Sequence, residues 1–394
     1  MRLISFLGNS KYSPARYELA GKSVETPFVA RALADLEGAD EVLIILTEEA
    51  KKENAAKLEQ ALAAASLPAP RLVLIPTEGN AANLRQLFGV LVEAIRDASG
   101  PVLLDITHGF RMQPFFAAAC IQYVQAVLPR PPIIRVVYAE YRQGRSPIWE
   151  LTEFLDVLTW SRELMMFLRT GVADGVAEPM NQLGRTLSRE WANSGKNGPK
   201  PELARLAGSL QKFSDDFTTI RTGDLLQGEH ASARKLEQSI AQTRDEVAQH
   251  IPAVSAVLDQ VQGMVQPLVS QHPEARFSQG AGQRTMLALA RLYQSMGRYS
   301  EAISVLREGW ITLGAPANCD LPGREFKIDD RKALERTWSE AVHQSRQVAE
   351  IRNDIQHAGF QTQPNKKGVI AEHLEKLLKE WEAAIAASEA AAPG

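Results

Sequence analysis

The chain has 394 residues, of which 45% are hydrophobic, and a formal net charge of −3. This length and composition allow a large core and predict two or three globular domains. The slightly acidic balance argues against a broad phosphate-neutralising surface, so any RNA contact is expected to be local or transient.

Cysteine usage and hydropathy indicate where the protein resides. Cys120 and Cys319 give neither a disulfide framework nor metal-ligand spacing, and Cys120 lies in an apolar helical run where a reduced thiol serves as core filler. No apolar stretch approaches the roughly 20 residues that a membrane helix needs, and a strand pattern stands where an export signal would lie. We therefore expect a cytoplasmic protein without a membrane anchor.

Short apolar runs alternate with helical patterns through the N-terminal part of the chain. The runs are typical of buried parallel strands, and they are Leu3–Leu7, Val42–Leu46, Leu72–Ile75, Val102–Ile106 and Ile134–Ala139. A helix is predicted from Leu84 to Ile95, and a final strand around Trp149–Val157. This order predicts an α/β, Rossmann-like domain over residues 1–158.

Two loops after predicted strands are suited to a phosphate-bearing ligand, because exposed N–H groups favour anions where a strand leads into a helix. Gly8, Asn9 and Ser10 follow the first strand and are small and polar, although a purely structural loop explains them equally well. Thr77–Asn80 follows the third strand, and here capping of the next helix by Asn80 is the favoured explanation.

The loop after the fourth strand, Asp105–Arg111, is the richest in chemistry. Gly109 permits unusual backbone conformations, Thr107 and His108 offer hydrogen bonds, and Arg111 is placed to meet a phosphate. The structural alternative is that Asp105 and His108 satisfy each other. We favour a ligand-binding role for this loop.

The second half of the chain shows helical periodicity with polar breaks, which predicts an all-α region. We divide it into a connector, residues 159–280, and a helical domain, residues 281–394. The Gly- and Pro-rich segment Asn193–Pro201 is predicted to be a loop, and Ala281–Trp310 a helical hairpin that turns at Gly297.

Near the C-terminus, Arg352, Asn353 and His357 occur as R-N-D-I-Q-H on an amphipathic helix whose end is predicted at Gly359. A permanent cation, an amide and a group that titrates near neutrality are what metal-free cleavage of an RNA phosphodiester requires. Positions five apart point about 140° from each other, so Arg352 and His357 flank a core stripe of Val348, Ile351 and Ile355. We therefore expect two copies of the chain to build one composite site.

The chain lacks the sequence motifs of several other enzyme classes. The chain has no G-x-G-x-x-G after its first strand, no G-x-x-x-x-G-K-[ST], no H-E-x-x-H and no G-x-S-x-G. A nicotinamide oxidoreductase, a P-loop nucleoside triphosphatase, a zinc protease and an α/β-hydrolase are thereby disfavoured. No metal site or cofactor is implied.

Three motifs together resemble the CARF–HEPN ribonucleases of type III CRISPR systems: F-L-G-N-S-K-Y at 6–12, D-I-T-H-G-F-R at 105–111 and R-N-x-x-x-H at 352–357. The resemblance implies a CARF sensor domain that binds a cyclic oligoadenylate and a C-terminal HEPN domain that cleaves single-stranded RNA. The predicted messenger-binding residues are Gly8, Asn9, Ser10, Thr107, His108, Gly109 and Arg111, and the predicted catalytic residues are Arg352, Asn353 and His357.

This resemblance also implies an antiviral endoribonuclease that works as a homodimer and is allosterically activated by the messenger. A cyclic tetra-adenylate fits two-fold symmetry, as would a six-membered ring. The expected reaction is attack of a ribose 2′-OH on the adjacent phosphate, without metal or water, to give a 2′,3′-cyclic phosphate and a 5′-OH.

Two other function classes remain open. A ligand-binding regulator would need a basic helix-turn-helix, for which we find no convincing pattern. A catalytically silent scaffold is suggested by Tyr293, Gly297, Tyr299 and Ala302, which resemble a tetratricopeptide helix pair. Only one such pair is apparent, whereas stable arrays generally need at least three repeats.

Overall fold

The computed structural model describes residues 1–77, 80–108, 113–142, 145–313, 315, 328–341, 344–360 and 363–391. The chain divides into two compact units, Met1–Thr159 and Trp160–Gly394.

A sheet forms the centre of the N-terminal unit. Its strands are β1 (Arg2–Leu7), β2 (Ala15–Leu19), β3 (Lys22–Thr26), β4 (Glu41–Leu46), β5 (Arg71–Leu74), β6 (Val102–Asp105), β7 (Ile134–Ala139) and β8 (Arg145–Glu150). The strand order is β3-β2-β8-β7-β6-β1-β4-β5. The five strands predicted from sequence, β1, β4, β5, β6 and β7, pair in parallel as expected, whereas β8 is antiparallel to β7.

Helices cover this sheet. They are α1 (Val29–Glu37), α2 (Glu48–Ala50), α3 (Ala56–Ala64), α4 (Ala81–Arg96), α5 (Gln113–Val127) and the first part of α6 (Thr152–Thr170), with a π-helical turn at Lys51–Ala55. Successive residues of β4 enter different cores, since Val42 and Ile44 pack in one cluster and Leu43 and Ile45 in another. Burial on both faces explains the continuous apolar runs that made the parallel strands predictable.

The sequence prediction was wrong in two places in this unit. The β2–β3 hairpin was missed because each strand has only five residues and neither contains an unbroken apolar run. The final strand was placed too late, because β8 ends at Glu150 and α6 begins at Thr152. Leu151 and Leu155, four residues apart, both pack against the core, which is helical rather than strand spacing.

The second unit is helical in its described residues, as predicted. Its helices after α6 are α7 (Asp174–Asn193), α8 (Leu203–Thr218), α9 (Thr222–Leu226), α10 (Ser232–His250), α11 (Pro252–Val265), α12 (Gly280–Ser295), α13 (Tyr299–Thr312), α14 (Ile328–Ala341), α15 (Gln344–Gln356) and α16 (Lys367–Ala391). The predicted loop lies between α7 and α8, and the predicted hairpin is α12–α13, with Gly297 at φ +73°.

One hydrophobic core runs through this unit and draws on both the predicted connector and the predicted nuclease region. Phe217 of α8 stacks on Tyr293 of α12 with ring centroids 4.3 Å apart, and the Tyr293 hydroxyl donates to the Phe217 carbonyl. The two regions therefore pack as parts of one helical body.

Trp381 of α16 is the largest fully buried side chain of the core. Its Nε1 donates to Gln283 Oε1 at 2.8 Å, and Gln283 in turn donates to the carbonyl of Gly309 at 3.0 Å. The Trp381 ring lies directly against Gly309, so that a Cβ at this position would overlap it. Three helices are thus joined at a point where only glycine fits.

Gly309→Ala is therefore expected to lower the free energy of unfolding by about 1–3 kcal/mol, because overpacking a filled core costs that much. Gly263→Ala on α11 is the matched control, since a Cβ there meets nothing within 4 Å. The control should be neutral or stabilising by about 0.5–1 kcal/mol. Urea denaturation measures both, and equal stability of the two variants would contradict this packing.

Within the described residues, no helix is both long and apolar enough to cross a bilayer. Cys120 is fully buried, which confirms its role as core filler, while Cys319 lies outside the described residues.

Candidate ligand-binding and nuclease sites

A cavity of about 220 Å³ lies at the carboxyl ends of β1, β4, β5 and β6 in the N-terminal unit. Its polar lining comes from the loops that follow these strands, namely Gly8, Asn9, Ser10, Thr47, Thr77 and His108. Four of the predicted messenger-binding residues, Gly8, Asn9, Ser10 and His108, are thus brought together. Their assignment to a messenger remains a prediction.

Two side chains fix the loop after β1: Asn54, which the sequence analysis did not single out, and Tyr12, which belongs to the motif at residues 6–12. Asn54 is 3% exposed, and its Nδ2 donates to the carbonyls of both Gly8 and Ser10 at 2.9 Å. The backbone N–H of Gly8 donates to the Tyr12 hydroxyl at 2.8 Å. The loop therefore has a fixed shape before any ligand arrives.

Asp105, at the end of β6, is completely buried and organises the next loop. It accepts hydrogen bonds from Ser5 Oγ at 2.6 Å and from the Thr107 backbone N–H at 2.9 Å. Thr107 Oγ1 also donates to Asp105 and accepts from the backbone N–H of Ala139 at 2.9 Å. Thr107 therefore braces β6 against β7 and does not line the cavity.

His108 lines the cavity and has a buried ring nitrogen whose hydrogen-bonding capacity is unused within the described residues. Its ring packs edge-on against Tyr12 with centroids 4.7 Å apart, and Nε2 is buried without a hydrogen-bond partner in the described part of the chain. Burial lowers the pKa of His108, an effect opposed by nearby Asp105, whose own pKa burial raises. The imidazole is thus favoured in its neutral form, and the hydrogen bonds of Asp105 go to Ser5 and Thr107 rather than to His108.

The remaining loop predictions have different outcomes. Asn80 caps α4, since its Oδ1 accepts from the N–H groups of Ala82 and Asn83 at 3.0 and 2.9 Å, which confirms the favoured explanation. Thr77 lines the cavity and donates to Glu49 at 2.7 Å. Gly109 and Arg111 lie outside the described residues.

A second cavity, of about 500 Å³, opens between α13, α14 and α15 in the helical unit. Its lining includes Arg352 and Asn353 together with other cations, which are Arg307, Lys332, Arg336 and Arg346. The carboxylate in the lining, Glu335, pairs with Arg307. Lys332, Arg336 and Arg346 have no ion-pair partner among the described residues, so the cavity wall carries a surplus of positive charge.

The α15 helix places the motif residues as its periodicity predicts. Val348 and Ile351 are 1% and 2% exposed, and Ile355 packs against the same core. Arg352 is half-buried at the cavity wall, whereas His357 is exposed beyond the last turn and outside the lining. Within one copy, the structure does not bring Arg352 and His357 to a common cavity.

The sequence analysis did not single out two residues at the end of α15, the buried Asp354 and the exposed Phe360. Asp354 is 4% exposed and accepts the backbone N–H of Asn365 at 2.8 Å, which ties the following segment to the helix. The sequence did contain a signal for this burial, because Asp354 lies three residues after the core residue Ile351 and therefore on the same face of the helix. Gly359, at φ +71°, donates its N–H to the Asp354 carbonyl at 2.9 Å and ends the helix as predicted, and Phe360 beyond it is 91% exposed.

The sheet, with a cavity at the carboxyl ends of its strands, defines a Rossmann-like domain followed by a helical region. Residues 2–139 match the family model described as the CARF domain of the CRISPR system endoribonuclease Csx1. The N-terminal unit is therefore a CARF domain of the kind found in CRISPR-associated proteins. No curated protein matches the chain.

Proposed function

We propose that the protein is a cyclic-oligoadenylate-activated endoribonuclease of type III CRISPR antiviral defence. The observation that carries this proposal is that Arg352 and Asn353 line a cationic cavity in the same chain as a CARF domain. The helical unit would be the HEPN nuclease, and the CARF unit the sensor.

The sensor cavity supports recognition of part of a nucleotide ring. Backbone groups and small side chains of Gly8–Ser10 suit close approach to phosphate, and the unpartnered His108 Nε2 is available to a ligand. Its volume of about 220 Å³ is below the roughly 300–1,000 Å³ of a drug-sized site, so one copy holds only part of a ring. A second copy related by two-fold symmetry would hold the rest.

The proposed reaction is an internal transfer at phosphorus. The ribose 2′-oxygen bonds to the adjacent phosphorus, the bond to the 5′-oxygen breaks, and a proton passes to the departing 5′-oxygen. His357 serves as general acid or base, Arg352 stabilises negative charge on the phosphoryl oxygens, and Asn353 orients the substrate or His357. The unpaired Arg336 and Arg346 offer binding to neighbouring phosphates.

A homodimer would bring Arg352 and His357 together, although they do not share a cavity within one copy. A second copy could bring its own histidine to the first copy's Arg352, and the exposed Phe360 gives that region an apolar contact surface. The CARF unit also exposes apolar side chains, Phe115 on α5 and Phe154 on α6 being 78% and 64% exposed. These surfaces support pairing of both units.

The reaction is tested by incubating the purified protein with single-stranded RNA and cyclic tetra-adenylate in excess EDTA. We expect products with 2′,3′-cyclic phosphate and 5′-OH ends, because the nucleophile is the substrate's own 2′-OH. A fully 2′-O-methylated RNA is the control and should remain intact. Products with 5′-phosphate ends, or full inhibition by the chelator, would contradict the mechanism.

The same assay over a dilution series tests the composite site. Activity per protomer should fall as the protein becomes monomeric by light scattering. Constant activity per protomer through that transition would show that one copy suffices.

A further inference from the structure

A third cavity, of about 490 Å³, lies between α8 and α10, in a region to which neither the motifs nor the family match assigns a role. Its lining carries hydrogen-bond donors and cations without a carboxylate, and consists of Arg205, Gly208, Ser209, Lys212, His230, Ser232, Lys235, Gln238, Ser239 and Gln242. We call it the α8–α10 groove. Such a lining suits an anion.

The N-terminus of α10 opens into this groove. The helix has 19 residues, its N-cap Ala231 provides no capping side chain, and its first turn contains no acidic residue. The uncapped N–H groups and the helix dipole therefore give this end a partial positive charge without internal neutralisation.

Ser232 provides independent evidence for a missing partner. The residue is 2% exposed, and its Oγ is buried without a hydrogen-bond partner in the described residues, although it belongs to the groove lining. A buried hydroxyl without a partner destabilises the folded protein. An anion in the groove would accept from this hydroxyl and remove this destabilisation.

The cations around the groove differ in whether they already have an ion-pair partner. Lys235, one turn along α10 from Ser232, has no ion-pair partner among the described residues. Arg205 pairs with Glu202 at 3.1 Å and Lys212 with Asp216 at 2.5 Å. The Arg205–Glu202 pair is open to solvent and weak enough to exchange for a phosphate, whereas Asp216 is buried and keeps Lys212 paired.

We propose that the α8–α10 groove binds a phosphate group, held by Ser232 Oγ, the first-turn N–H groups of α10 and Lys235. The groove is larger than a bare phosphate, and the amide side chains of Gln238 and Gln242 in its lining can hydrogen-bond the edge of a base, so the phosphate is assigned to a nucleotide, either free or within an RNA strand. This site is separate from the CARF cavity and from the Arg352 cavity, and it does not depend on the proposed nuclease activity.

The test is photolabelling of the full-length protein, because labelled peptides locate the site directly. The probes are 8-azidoadenosine 5′-monophosphate, 8-azidoadenosine without phosphate, and a 2′-O-methylated oligoribonucleotide that carries 4-thiouridine. Gln238→Glu places a carboxylate on the exposed rim of the groove. Gln249→Glu is the matched control, since it is the same change on an exposed residue of the same helix, outside the lining.

We expect phosphate-dependent labelling of α8 or α10 peptides in the wild type and in Gln249→Glu, with about a tenfold loss in Gln238→Glu from charge repulsion. Ser232→Ala should also reduce labelling while leaving the thermal midpoint unchanged or higher, because the hydroxyl forms no bond in the free protein. Labelling by the monophosphate identifies a free nucleotide, and labelling by the oligonucleotide alone identifies an RNA strand. Absence of labelling on α8 and α10 with both phosphate probes, or equal labelling in both glutamine variants, would overturn the proposal.

Discussion

His357→Ala is expected to slow RNA cleavage by about 10²- to 10⁴-fold, the usual contribution of general acid–base catalysis. The imidazole is exposed beyond the last turn of α15. The bond from its backbone N–H to the Asn353 carbonyl, at 2.9 Å, does not depend on the side chain. Folding and binding of cyclic tetra-adenylate should therefore be unchanged, so that the loss falls on the chemical step.

The matched control for this variant is His373→Ala, which removes another exposed imidazole from the same unit, on α16. It should cleave RNA at the wild-type rate. Undiminished turnover in His357→Ala would remove this histidine from the mechanism, and equal losses in both variants would indicate a general effect of removing surface imidazoles.

The fold of the N-terminal unit was predictable where the burial of a strand leaves a clear pattern of apolar residues in the sequence. Parallel strands such as β4 are buried on both faces and appear as unbroken apolar runs, whereas the short β2–β3 hairpin, in which apolar and polar residues are mixed, gives no such signal. The sequence analysis grouped Gly8–Ser10 with His108 through the resemblance to CARF domains, and the structure brings them to one cavity because the carboxyl ends of parallel strands share one edge of a sheet. Asn54 escaped notice because it reaches the loop from a π-helical turn, which has no sequence pattern.

The helical unit was predictable only along single helices. The core stripe on α15 and the divergence of Arg352 from His357 follow from helical period alone. The cationic cavity could not be predicted, because Arg307, Arg336 and Arg346 come from α13, α14 and α15 and meet only through tertiary packing. The sequence also could not reveal that Thr107, predicted to bind the messenger, uses its hydroxyl to bridge the ends of β6 and β7, because this contact forms only through tertiary packing.

Cyclic tetra-adenylate is expected to convert the protein from a mostly silent to an active nuclease. A complete switch requires the active arrangement to bind the ring roughly 10⁴-fold more tightly than the inactive one. That preference must come from contacts that the ring makes in the active arrangement and lacks in the inactive one. The Gly8–Ser10 loop, fixed by Asn54, is the part of the sensor cavity best suited to supply them.

Asn54→Ala should therefore raise the ring concentration for half-activation by about tenfold or more, since loss of buried hydrogen bonds of this kind costs about 1–3 kcal/mol. The maximal rate at saturating ring should be unchanged, because Asn54 positions the loop and takes no part in cleavage. Asn197→Ala is the control, as it removes a similar bond, to the Ser194 carbonyl at 2.9 Å, from an exposed loop. A lower maximal rate at an unchanged half-activating concentration would contradict a positioning role.

The central claim, that a nucleotide ring bound by the CARF domain activates an RNA-cleaving helical domain, is tested most directly with wild-type protein, a fluorogenic single-stranded RNA and EDTA. Ring binding is measured in parallel by calorimetry, and cyclic hexa-adenylate serves as the second ring. We predict little signal without a ring and strong signal with one of them. Silence with both rings despite measurable ring binding would contradict the nuclease and favour a ligand-binding regulator or a silent scaffold.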